Sequence, residues 1–536
     1  MSTCTQVERN GLFELTDEAR AELTSSRYFN EDLAPTSVSQ RTWTTYNITM
    51  LWVGMSICIP SLSLSSALIG LGASPWIAVL NVALGNLLVL IPIQLNSHAG
   101  TKYGIPFPAF SRLTFGATGA HLPSILRGLV ACGWTSVQAW VGGGAVAALV
   151  SIVAPKFGDA TWTTSLPSWA GMQPAHIGQT IGFFVFMLFV LWVAYNGIEQ
   201  IKWVQNIGGP LLIVIMFALL AWSINEASGA GYTFGEVMNQ PNDAALISQH
   251  GGIVLLFLGG LTGNIAFWAT MALNIPDFSR YAHSQKAQFR GQLYGMPIPM
   301  AFCAFVGAFF AMATKLTRGE ALFDPTAVFY SIDNRIIVFI AAVGVIAATI
   351  TTCVAANVVA PANGFSNISP SRISYKKGVV ITVIIATFVF QPWWIYGSGA
   401  AYIFGWLNNY GIILAPVAAI FIADYYICKD KRIEVGALYT GDKGRYWYSN
   451  GWNAAALIAW IVSFIFPLWA NAGSFGFQGA IDFAGLLGTF GVWIAANGYI
   501  FSFIVGFVLY VILMKAGMAK DSYLKEEEHE ACTRRA

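Results

Sequence analysis

Trp134 and Gln138 stand four residues apart in the run Gly-Trp-Thr-Ser-Val-Gln (133–138). A helix through them puts both side chains on one face. Two more residues of the same chemical kinds, Trp268 and Asn357, occur far downstream in apolar surroundings. An indole offers a flat apolar surface for stacking, and a carboxamide offers a donor and an acceptor side by side. Together these groups suit a planar ring edged with C=O and N–H. Thr351-Thr352, after Ala347-Ala348-Thr349, is a second kind of feature. Paired hydroxyls near free carbonyls give the oxygen-only surroundings that a hard cation takes. Each feature alone also fits plain helix packing: amides tie helices together, and a buried threonine bonds back to its own preceding turn.

The elements that position these residues are apolar runs of about 18 residues or more, the length a bilayer requires of a helix. The sequence predicts twelve: 46–71, 76–97, 123–153, 177–197, 204–224, 252–275, 294–314, 335–360, 378–395, 399–424, 453–472 and 490–514. Two are interrupted. Span 1 carries Gly54 and Pro60 about its middle, and span 6 carries Gly259, Gly260 and Gly263, then Asn274-Ile275-Pro276. Glycine and proline loosen the backbone ladder, and a broken membrane helix can turn carbonyls and amides toward an ion or substrate. The Gly-rich stretch 473–489 has no side assigned to it.

Composition agrees with lipid as the solvent. Hydrophobic residues make up 56% of 536, charged residues 10%, and mean hydropathy is +0.60. A soluble domain carries about 25% charged residues. With the N-terminus inside and spans alternating, 24 of the 28 Lys and Arg fall on the inner side, a strong positive-inside bias. The expected chain is an all-α, multi-pass inner-membrane protein with both termini cytoplasmic. Residues 1–43 form an N-terminal tail and 515–536 a solvated C-terminal tail. No organic cofactor, nucleic acid or metal-ligand cluster is implied, and a monomer is expected.

Inside the spans Asp, Glu, Lys and Arg are almost missing; Arg127, Arg335 and Asp424 lie at span ends. A carrier of a charged organic molecule keeps a counter-charge in the membrane, so a neutral substrate is favoured. The same poverty in acids and histidines leaves no cluster for acid–base or metal chemistry, and the chain is read as no enzyme. Asp277 and Arg280, at the inner end of span 6, read as helix-end anchors.

The motifs in order are Leu-Trp-Val-Gly-Met-Ser-Ile-Cys-Ile-Pro (51–60), Gly-Thr-Lys-Tyr-Gly-Ile-Pro-Phe-Pro (100–108) and Gly-Trp-Thr-Ser-Val-Gln (133–138). They continue with Phe-Trp-Ala-Thr-Met-Ala-Leu-Asn-Ile-Pro-Asp-Phe-Ser-Arg (267–280), Ala-Ala-Asn-Val-Val-Ala-Pro-Ala (355–362) and Ala-Asp-Tyr-Tyr (423–426). The chain resembles the nucleobase-cation-symport-1 family of nucleobase, allantoin and hydantoin transporters. The resemblance implies two inverted repeats of five helices in 44–425, broken at helices 1 and 6, and two further helices within 426–514. It places stacking indoles at Trp134 and Trp268, amides at Gln138 and Asn357, and a backbone contact at Phe267. Cys58 falls where some members carry an amide. It places sodium on the carbonyls of Gly54, Ile57 and Ala348 and the hydroxyls of Thr351 and Thr352. With Cys58, Gly142-Gly143-Gly144 are expected to tune the size of the site.

The expected activity is symport of a small neutral nitrogen heterocycle (nucleobase, allantoin, hydantoin or dihydropyrimidine) with a cation, Na+ before H+. The alternatives are proton coupling to the same substrates and a non-transporting membrane receptor.

Overall fold

The computed structural model describes residues 5–169, 171–322, 334–395, 400–471 and 488–535. Nearly all of stretch 473–489 lies outside these. Seven helices among the described residues are long and apolar enough to cross a membrane, or eight crossings when one bent pair is counted as a span. The pair is α2 (Thr45–Ser56) and α3 (Ile59–Gly70), which turn by 50° on one another. A short α1 (Asp17–Leu23) precedes them in the tail.

The chain continues through α4 (Pro75–Tyr103), α5 (Phe107–Phe115), α6 (His121–Ser151), α7 (Ile177–Tyr195) and α8 (Ile198–Gly229). Then come α9 (Ile253–Phe267), α10 (Ala269–Asn274), α11 (Gln285–Gly295), α12 (Pro297–Arg318) and α13 (Arg335–Thr352). Last are α14 (Val359–Ile368), α15 (Tyr375–Ile384), α16 (Ala400–Ile422), α17 (Ala454–Ala470) and α18 (Gly498–Lys515).

The break in span 1 follows from its residues. Ile57 and Cys58 are extended, with φ −87° and −151°. Pro60 lacks the N–H that would continue the ladder and instead sits in the first turn of α3. In span 6 the break falls at Trp268 (φ −101°, ψ 9°), and not at the glycines. Gly260 is a packing position, where a Cβ would stand 2.7 Å from Leu68 Cδ2. A π-helical turn, Cys353–Val358, separates α13 from α14. It carries Asn357, and no feature of the sequence announces it.

The helices approach closely through small residues, as membrane helices do. Gly142-Gly143-Gly144 belong to this packing and not to the size of a binding site. A Cβ on Gly142 would lie 2.5 Å from the Phe186 ring, and one on Gly143 2.6 Å from Phe183 Cα, both on α7. Gly144 faces the Gln179 side chain in the same way.

The tails are folded. Gln6–Arg9 (β1) pairs antiparallel with Leu12–Leu15 (β2) and parallel with Thr533–Arg535, at the other end of the chain. Two of the three charged residues assigned to span ends are wholly buried, and the third, Arg335, is exposed. Arg127 is 0% exposed, as is Asp424, which pairs with Lys429 and accepts from Tyr510 Oη (2.8 Å) and Thr114 Oγ1 (2.9 Å). In the loop between spans 2 and 3, α5 is a buried helix whose Arg112 donates to Asn367 Oδ1 at 2.7 Å.

Candidate functional site

Helix α6, the π turn and the broken sixth span converge. Asn357 Nδ2 donates to Gln138 Oε1 at 3.1 Å. Thr135, one turn before Gln138, donates to the Asn357 carbonyl at 3.0 Å and fixes the π turn on α6. Both amides are buried, so a ligand reaching one of them displaces the other or bridges to it. The aromatic residues lie in a row. Trp134 meets the Phe267 ring edge-on at 5.5 Å, and Phe267 meets Trp268 edge-on at 5.0 Å. The Phe267 ring therefore stands between the two indoles, where the sequence reading gave this residue only a backbone role.

The indoles are held by residues the sequence reading missed. Trp134 Nε1 donates to Tyr410 Oη at 3.3 Å, and that hydroxyl donates to the Ala266 carbonyl at 3.0 Å. Trp268 Nε1 donates to Asn86 Oδ1 at 2.7 Å and packs edge-on against Trp52 at 5.2 Å. Asn86 had a signal: an amide within an apolar run. Tyr410 had none. Arg127 spans two elements, donating to Asn274 Oδ1 (2.9 Å) and to the Ala356 carbonyl (2.6 Å).

A second cluster forms where α2 ends against α13. The Gly54 carbonyl accepts from Thr351 Oγ1 (3.3 Å) and Thr352 Oγ1 (2.8 Å). The Ala348 carbonyl accepts from the same two hydroxyls, at 2.8 and 3.1 Å. Four oxygens thus meet between the broken span and α13. Ile57 is the extended cap of α2, and its N–H bonds back to Val53. Each hydroxyl here turns its hydrogen to a carbonyl; rotation would turn its lone pairs inward, so the donor set fits a hard cation. Cys58 lies one residue beyond Ile57, 3.2 Å from Ser61 Oγ. With Ile57, Ala348 and Leu212 it lines an apolar cavity of about 290 Å³.

Asp277 and Arg280 are anchors. Asp277 Oδ1 accepts the Phe107 amide at 3.1 Å and caps α5, and Arg280 donates to the Asp32 carbonyl at 3.2 Å.

A family described as permeases for cytosine/purines, uracil, thiamine and allantoin matches residues 35–506. The purine-uracil permease NCS1 of Arabidopsis thaliana is 36% identical over 93% of this chain and 80% of its own. The allantoin permease of Bacillus subtilis (strain 168) is 32% identical over 83% of this chain and 87% of its own. Among solved structures, Mhp1 in a closed conformation with bromovinylhydantoin bound superposes with a TM-score of 0.74 at 20% identity, covering 94% of this chain and 99% of that one. An Na+-coupled sialic acid symporter shares the fold at a TM-score of 0.57 and 15% identity, over 92% and 95% of the two chains. The chain is therefore a multi-pass membrane transporter, and it belongs to the nucleobase-cation-symport-1 family of cytosine/purine, uracil, thiamine and allantoin permeases.

Proposed function

We propose that this transporter is a symporter that imports a small neutral nitrogen heterocycle, of the nucleobase, allantoin or hydantoin class, together with a cation, Na+ before H+. The observation that carries it is the Asn357–Gln138 amide pair beside the Trp134–Phe267–Trp268 row. An amide edge on a flat ring matches both partners: it donates to one carboxamide, accepts from the other, and lays its face on an indole. Cys58 adds no strong polar partner from span 1. The cation is assigned to Gly54, Ile57, Ala348, Thr351 and Thr352, supported by the four oxygens that meet there. The Na+-coupled sialic acid symporter shares the fold, which is consistent with sodium.

The architecture proposed is twelve spans, ten of them in two inverted repeats of five within 44–425, with helices 1 and 6 discontinuous and two more helices in 426–514. The breaks at Ile57-Cys58 and at Trp268 support it, because they interrupt the two helices that the repeat relates to one another. The protein is assigned to a cell inner membrane, both termini cytoplasmic, and works as a monomer. Ion and substrate each stabilise the loaded state, so each raises the affinity of the other.

The test is intrinsic tryptophan fluorescence of the purified protein, titrated with nucleobases, allantoin and hydantoins, with and without sodium. Quenching by one compound, tightened by sodium, is expected. Quenching that ignores sodium moves the coupling ion to the proton, and no quenching by any compound removes the ring site.

A further inference from the structure

One buried polar atom beside the cation cluster has no function in the reading above. Gln205 lies on α8, 1% exposed. Its Nε2 donates to the Thr351 carbonyl at 2.6 Å. Its Oε1 has no hydrogen-bond partner among the described residues. An amide oxygen left unpaired in apolar surroundings is destabilising, and in a native structure it calls for an explanation.

The position of that oxygen supplies one. It lies so close to Gly54 that a Cβ built there would overlap it, with the amide carbon itself 3.0 Å away. The Gly54 carbonyl is the oxygen that receives both threonine hydroxyls. Gln205 therefore reaches the same turn of α2 as the cluster, from a third helix. Its orientation is fixed: flipping the amide would set its oxygen against the Thr351 carbonyl, acceptor against acceptor. Nor can α8 withdraw it easily, because Gly208, one turn on, is seated where a Cβ would meet Thr351 Cγ2 at 2.6 Å.

We propose that Gln205 completes the cation site from α8, its Oε1 serving as a further oxygen ligand and its Nε2 holding the Thr351 carbonyl in place. The proposal rests on the assignment of the cation to Gly54, Ala348, Thr351 and Thr352. It ties α8 to ion occupancy, so the helix is held at its inner end when the ion is bound. Charge enters too: the oxygens around the ion are all neutral, so a carboxylate at this position would turn a sodium site into one that competes with protons.

The experiment titrates sodium against potassium at constant ionic strength on purified full-length protein, without substrate. It reads the thermal unfolding midpoint and the tryptophan fluorescence, so that transport is not the only readout. In the wild type, sodium is expected to raise the midpoint. In Gln205→Leu the half-saturating sodium concentration is expected to rise about tenfold or more. Gln205→Glu keeps an oxygen against Gly54, adds charge and, once ionised, sets its second oxygen against the Thr351 carbonyl, so its sodium affinity is expected to vary with pH, unlike that of the wild type. A wild type indifferent to sodium overturns the cation assignment and this proposal with it. Sodium binding in the wild type that Gln205→Leu leaves unchanged, or a Gln205→Glu curve that matches the wild type at every pH, overturns the role of Gln205 alone.

Discussion

Asn357 and Gln138 satisfy one another, and that bond sets the cost of removing either. Gln138→Ala leaves the Asn357 amide buried with its partner gone, a loss of about 1–3 kcal/mol when a polar group is orphaned. The same change removes one of the two partners proposed for the ring. Substrate binding is expected to weaken about tenfold to a hundredfold, read by fluorescence titration, while the protein stays folded by size-exclusion chromatography. Unchanged affinity would remove this pocket assignment. Tyr410→Phe is subtler. It deletes the hydroxyl that receives the Trp134 indole N–H and itself bonds the Ala266 carbonyl, at a cost of about 1 kcal/mol per bond. The Trp134 ring is then free to tilt, and weaker quenching by the bound ring is expected together with a modestly lower unfolding midpoint. If affinity and quenching match the wild type, Tyr410 does not position that indole.

Helices pack here through glycines whose replacement has a calculable direction. Gly143→Ala would push a methyl into the backbone of α7 at Phe183, which cannot rotate away. Overpacking of this kind costs about 1–3 kcal/mol, so a lower unfolding midpoint is expected. Substrate affinity should hardly change, since the glycine faces α7 and not the amide pair. A variant that folds as well as the wild type but binds a different size of ring would reinstate the role read from sequence. That contrast shows what is legible at this scale. The break of span 1 can be read from Gly54 and Pro60, because a missing N–H is written in the residue type. The break at Trp268 cannot, since Trp has no local reason to leave the helix and is held there by Asn86 and Trp52 from other elements. The π turn that carries Asn357 is of the same kind. Indoles and amides are visible as residue types in apolar runs, whereas Tyr410, Asn86 and Gln205 acquire their partners only through helix packing.

The two ends of the chain, 527 residues apart in sequence where Gln6 pairs with Thr533 and its neighbours follow, close on one another. The N-terminal segment touches several elements: Arg41 donates to the Thr101 carbonyl (2.9 Å), Asn30 to the Pro370 carbonyl (2.6 Å), and Gln6 Oε1 accepts the Val435 amide (3.0 Å). His529 sits in the seam, against the Phe13 ring at 5.4 Å. Burial, then the cations Lys102 and Arg432, hold its pKa down to about 4, from an ordinary value near 6.5. The docked tail therefore keeps His529 neutral. Below about pH 6.5 an undocked tail takes up a proton that the docked one refuses, so docking weakens as pH falls from 6.5 toward 4 and is complete above 6.5. Glu8, Glu526 and Glu530 border the same cleft. Hydrogen exchange at Gln6–Arg9 and Thr533–Arg535, corrected for intrinsic rates, is expected to speed up through pH 6 to 5. His529→Gln, which carries no titrating ring, is expected to lose that upper part of the dependence. Protection that stays level from pH 7 to 4.5 in the wild type, or falls identically in His529→Gln, would show that His529 does not control how the tails close.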